Sequence, residues 1–153
     1  MRLEAFQTPR VERSQDAMSG LAAMAAMVVM ELSETVTPGQ ARGFFNVIGK
    51  RLAALEPLND VSGAAALSAR INGFWSALDW GEAEIVLQSD AICVRHRHAP
   101  RDTPLVEAGR WPMILLAVLE GAYDAWFRDL GSGPALKTVA EWDGDVVEIR
   151  HGA

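Results

Sequence analysis

The residues with chemistry to offer in this chain are three histidines, one cysteine and a set of carboxylates. His96 and His98 lie two apart, so on a strand both point to the same face. Two imidazoles at that spacing can ligate a metal, but a site needs a third or fourth ligand. His151 and Asp102 are the only further donors to consider, so no metal site is expected. Cys93 has no Cys/His/Asn constellation around it and reads as a small packed residue. The serines lack a nucleophile-elbow motif, and no glycine-rich phosphate loop follows a strand. Two acid pairs remain, Glu82/Glu84 and Glu120/Asp124. The first has a cross-strand explanation, and the second reads as one solvated or ion-paired face of a helix. No catalytic residue and no cofactor is expected.

Five tryptophans and one tyrosine invite a test for sugar stacking, since indole faces pack on pyranose rings. Trp75, Tyr123 and Trp126 fall on apolar helix faces and read as core. Trp80, Trp111 and Trp142 stand at element boundaries, where packing is again the better explanation.

The elements that must position these residues follow from periodicity. Trp111–Gly131 is the clearest helix: Leu116, Leu119, Tyr123, Trp126 and Leu130 recur at steps of three and four. Pro112 suits its first turn and Gly131 its C-terminal cap. Gly121 sits off the apolar stripe and predicts close contact with another element or another subunit. Ser14–Ser33 predicts a first helix that is apolar nearly all round, with no charge between Asp16 and Glu31. Such a helix must be covered on more than one side, which points to a subunit interface through Leu21, Ala25 and Val28, with Gly121.

Thr37-Pro38-Gly39-Gln40 has the form of a capping box. The helix it opens should turn Ala41, Phe44, Phe45, Ile48, Leu52 and Leu55 inward and leave Arg42, Lys50 and Arg51 in water. Asn59–Asp79 predicts a third helix with Leu67, Ile71, Phe74 and Trp75 on its apolar face. Gly63 should mark its cap and Gly73 a site of tight packing.

Glu82–Arg97 predicts a β-hairpin about Ser89-Asp90. Leu87 faces Ile92, Ile85 faces Val94 and Ala83 faces His96, while Glu84 opposes Arg95 and Glu82 opposes Arg97. Leu136–His151 predicts a second hairpin with Asp143-Gly144 as its turn, pairing Thr138 with Ile149 and Ala140 with Val147. The expected fold is α+β: three N-terminal helices, a hairpin, a long helix and a second hairpin. The four strands form one antiparallel sheet with helices on its apolar face. Residues 1–13 read as an N-terminal arm and 14–153 as a single domain.

The 153 residues carry a formal charge of −6. That excludes the basic footprint of a nucleic-acid binder and is compatible with a neutral ligand. One cysteine allows no intrachain disulfide. The apolar run from Ala17 to Met30 is shorter than the roughly 20 residues of a membrane span, and the first sixteen residues do not resemble a secretory signal. A soluble chain is expected, cytoplasmic or envelope-associated, with the periplasm as the alternative compartment.

With helix and hairpin placed, a family resemblance emerges. Trp80-Gly81 before a strand, Ile92-Cys93-Val94-Arg95-His96 with Pro100 shortly after, and Val118-Leu119-Glu120-Gly121-Ala122-Tyr123-Asp124-Ala125-Trp126 on the following helix resemble the D subunit of bacterial cellulose synthase operons, the cellulose synthase accessory protein D family. The resemblance is carried by about Trp80 to Gly131. It implies a non-catalytic accessory protein that forms a ring-shaped homo-octamer. Its passages would align β-1,4-glucan chains for export and crystallisation, in contact with other synthase subunits. It also implies that the N-terminal arm, with Arg2, Glu4, Phe6, Gln7 and Arg10, touches glucan. The alternative is a small-molecule sensor domain in which His96 contacts a haem or metal, with an enzyme of unknown type behind it.

Overall fold

A computed structural model describes residues 20–103, 106–107 and 109–153. Four helices and four strands follow in order: α1 (Gly20–Thr35), α2 (Pro38–Ala53), α3 (Ala64–Ala77), β1 (Glu82–Leu87), β2 (Ala91–Arg97), α4 (Arg110–Asp129), β3 (Lys137–Asp143) and β4 (Val146–Gly152). The strands form one antiparallel sheet in the order β1-β2-β4-β3, the α+β arrangement expected from the sequence. α4 packs on α2 on one side and on β3 and β4 on the other, and α3 covers β1. The main core lies in this sandwich around Trp75, Val94, Leu119, Tyr123, Trp126 and Ile149.

Local chemistry sets the helix ends. Thr37 Oγ1 accepts from the Gln40 backbone N–H while Gln40 Oε1 accepts from the Thr37 N–H, the reciprocal capping box. α4 closes with Gly131 N–H to the Arg128 carbonyl and Ser132 N–H to the Phe127 carbonyl, the two bonds of a Schellman motif. α3 begins at Ala64 rather than Asn59, because Gly63 caps it at φ +89, a conformation no helix continues through. Gly73 faces open space, so the tight packing expected there is absent.

α2 and α4 cross at backbone contact. A Cβ on Gly49 would overlap the Val118 carbonyl, and one on Gly121 would overlap the Asn46 carbonyl. This corrects the assignment of Gly121 to a subunit interface: it is buried within the chain, and the close contact it marks is with α2. Phe44 and Leu55 are also corrected, since both are exposed. The inward arc of α2 is narrower, running through Phe45, Gly49 and Ala53.

The first hairpin has the predicted register at every pair. Its ion pairs do not follow that register. Arg97 reaches diagonally to Glu84 at 2.8 Å, and Arg95 turns to Glu148 on β4 at 3.3 Å. The second hairpin is shifted by two residues from its expected register. Thr138 pairs with His151, Ala140 with Ile149 and Trp142 with Val147, because the turn is Gly144-Asp145. A shift of two preserves which face each side chain occupies, so the apolar face survives.

Candidate functional site

The residues singled out by type and spacing converge on two buried networks around α4. The first joins Trp75, Tyr123, His96 and Trp80. Trp75 Nε1–H donates to Tyr123 Oη at 3.0 Å. His96 Nδ1 lies 2.9 Å from the same oxygen, and Nε2 lies 2.7 Å from the Trp80 carbonyl. A carbonyl only accepts, so Nε2 carries the proton and Nδ1 accepts from the tyrosine hydroxyl. Every member of the chain is thereby satisfied. Gly81 makes it possible: at φ +91 it brings the backbone so close to Arg97 that a Cβ would overlap its carbonyl.

His96 and Tyr123 are fully buried. Burial lowers the His96 pKa against the opposing pull of the Trp80 carbonyl, and the imidazole is neutral. Burial likewise pushes the Tyr123 hydroxyl far up, only partly offset by the Trp75 N–H. Both ring nitrogens of His96 are engaged, so neither is free to hold a haem iron or metal. His98, expected on the same strand face, has φ +58 and lies outside β2. It is exposed, 3.8 Å from Glu82. Among the described residues no cluster of three or more His, Cys, Asp or Glu side chains is placed to hold a metal ion.

The second network lies on the polar face of α4. Glu120 accepts from Arg42 at 2.6 Å and Asn46 at 3.4 Å, both on α2, and from the Ala140 backbone N–H of β3 at 3.1 Å. One turn on, Asp124 pairs with Lys50 of α2 at 3.3 Å and Arg128 at 3.0 Å, and accepts from Thr138 Oγ1 at 2.9 Å. Thr138 in turn accepts from His151 Nδ1–H at 2.7 Å. Burial pushes the Asp124 carboxyl up, but Arg128, Thr138 and Lys50 outweigh it and hold the pKa below its ordinary value. Burial lowers His151, against the charge of Asp124. Of the two states expected for this face, solvated or ion-paired, it takes the second, and it forms a polar seam binding α2 to the second hairpin. Lys50 and Arg42, expected in water, are its outer ends.

Sequence reasoning misses Thr138 and His151 as partners of Asp124. The available signal is strand parity, which places His151 on the face of Val147 and Ile149. The boundary tryptophans are anchors: Trp111 donates to the Pro100 carbonyl, and Trp142 donates to the Pro112 carbonyl at 3.2 Å. Trp80 lies parallel to Trp75, and Trp126 Nε1–H reaches the Glu56 carbonyl at 2.9 Å. Cys93 is half-buried on the outer sheet face. Leu21 and Val28, with Ala25, are exposed on α1. Arg2, Glu4, Phe6, Gln7 and Arg10 lie outside the described residues.

Trp80, Gly81, His96, Tyr123 and Trp126 thus form one packed and hydrogen-bonded unit, while Gly121 on the same helix closes the contact with α2, and these are among the residues that carry the family resemblance. The sequence model of the family of cellulose synthase D subunits matches residues 11–151. The chain belongs to this cellulose synthase D-subunit family. No curated protein matches it. The match takes in the N-terminal helices as well as the Trp80–Gly131 stretch, so α1 and α2 are part of what defines a cellulose synthase D subunit. No helix among the described residues is long and apolar enough to cross a membrane.

Proposed function

We propose that this member of the cellulose synthase D-subunit family works as a non-catalytic, self-associating scaffold. Copies of the chain assemble, as a ring of about eight, around passages that align β-1,4-glucan chains for export and crystallisation. The observation that carries this reading is α1. Leu21, Met24, Met27 and Val28 are 71%, 60%, 53% and 58% exposed, and no residue of the helix is buried. A short helix with such a face is marginal in water and needs a covering surface. Leu21, Ala25 and Val28 lie in that interface. The polar residues around α4 support a structural role, since Glu120, Asp124, Tyr123 and His96 are all engaged in hydrogen bonds or ion pairs that hold the fold together. The assembly contacts other synthase subunits in the cytoplasm or at the envelope, with the periplasm as the alternative compartment. The N-terminal arm, with Arg2, Glu4, Phe6, Gln7 and Arg10, touches glucan, and residues 14–153 act as one domain.

The test separates the arm from the scaffold. Deleting residues 1–10 should leave the particle mass unchanged while the producing cells make less ordered cellulose, read by diffraction of the product. Unchanged cellulose yield and crystallinity in that variant would remove the arm from the mechanism.

A further inference from the structure

Two helix stripes are left uncovered, and they match. On α1, Met24, Met27 and Glu31 stand at i, i+3 and i+7, which places them on one face. On α2, Phe44, Val47 and Arg51 have the same spacing. Met24, Met27, Phe44 and Val47 are all exposed large apolar side chains. The end residues have opposite charge, and among the described residues neither has an ion-pair partner. Their neighbours do: Glu34 is near Arg110, Arg42 pairs with Glu120 and Lys50 with Asp124. The two stripes thus read apolar, apolar, acid and apolar, apolar, base.

We infer that α1 of one copy docks on the outer face of α2 of a second copy, with the two helices parallel and in register. Met24 then meets Phe44 of the second copy, Met27 meets Val47, and Glu31 pairs with Arg51. The pairing is reciprocal under a two-fold axis, so each contact occurs twice in an isologous dimer. The inference rests on the self-association proposed above and adds which surface receives α1. A parallel register follows from charge: running the helices antiparallel would set Glu31 near Gly43, where the one base, Arg42, is already paired with Glu120, and leave Arg51 beside the apolar start of α1.

Disulfide trapping tests this. Cys93 is the only native cysteine, so Cys93→Ser gives a clean background. In that background, Met27→Cys with Val47→Cys should form interchain disulfides on mild oxidation, seen as dimers on a non-reducing gel. Met27→Cys alone should stay monomeric on the gel. Charge supplies a second readout on exposed positions that leave the fold intact. Arg51→Glu should weaken self-association roughly 3–10-fold, and adding Glu31→Arg should restore it. A disulfide in Met27→Cys alone would show α1 pairing with α1 and overturn the inference. So would a particle of full mass that gives no 27–47 disulfide, while leaving the proposed assembly standing. A chain that stays monomeric at every concentration would overturn both.

Discussion

From Gly20 to Met30 α1 carries no charge, whereas α4 holds Glu120, Asp124 and Arg128 along one face. Yet α4 buries twelve of its 20 residues and α1 buries none. Apolarity alone therefore does not decide what is inside. α4 is buried because three elements offer it complementary surfaces: α2 through the Gly49 and Gly121 contact, the sheet through its apolar face, and β3 through Thr138 and the Ala140 N–H. Its charges are tolerated there because each carboxylate finds several donors. α1 has only the partial cover of Val29 and Leu32 against the small cluster of Phe45 on α2 and Ile114, Ala117 and Val118 on α4. In the proposed assembly, α1 serves a surface outside its own chain and α4 serves its own fold.

The largest effect on that contrast should come from Gly121→Leu. The side chain has no room between α4 and the Asn46 backbone, and the helices must separate, at a cost of about 3 kcal/mol or more. Urea unfolding measures it; a loss below about 1 kcal/mol would mean the crossing is looser than described. Next is Tyr123→Phe. It removes the acceptor of the Trp75 N–H and the donor to His96 Nδ1 in a dry site, and should cost about 1–3 kcal/mol. A neutral outcome would show that water replaces the hydroxyl.

Acid should act on the same region. His96 and His151 have pKa values lowered in the folded state, so the unfolded chain takes up protons first. Stability is unaffected above their unfolded pKa near 6.5 and falls as the pH drops below it. Asp124, whose folded pKa is also lowered, holds its contribution down to the ordinary carboxylate range and loses it as the pH falls through its folded value. The urea midpoint should therefore be lower at pH 5 than at pH 7.5, and His96→Gln should reduce that difference. A flat profile would contradict the lowered pKa values of the two buried imidazoles. The smallest effect on chain stability belongs to α1. Leu21→Ser with Val28→Ser should change the unfolding free energy of the dissociated chain by less than about 0.5 kcal/mol, because neither side chain is buried. A cooperative loss of several kcal/mol would place α1 inside the fold.

Much of this contrast is legible in the sequence, and the exceptions have physical causes. The first hairpin can be registered pair by pair because opposite charges and alternating apolar residues agree on one alignment. The second cannot, because Asp143-Gly144 and Gly144-Asp145 are both acceptable turns, and parity does not choose between registers two apart. Periodicity shows that α2 has an apolar arc but not how wide it is. Phe44 and Leu55 fit the pattern, yet the Gly49 contact with α4 uses only the centre of the arc. The polar face of α4 reads as solvated or ion-paired without naming its partners, because Thr138, Ala140 and Lys50 are distant in sequence. Likewise, alternation puts His96 on the inner face, but only the fold brings the Trp80 carbonyl and Tyr123 to its two nitrogens.

The central claim is that α1 is an assembly surface on a closed scaffold, and light scattering on the full-length chain tests it directly. Wild-type protein should give a particle of about eight chains, and Leu21→Ser/Val28→Ser a smaller one with unchanged circular dichroism. A wild-type monomer, or a variant that keeps the full particle mass, would contradict it.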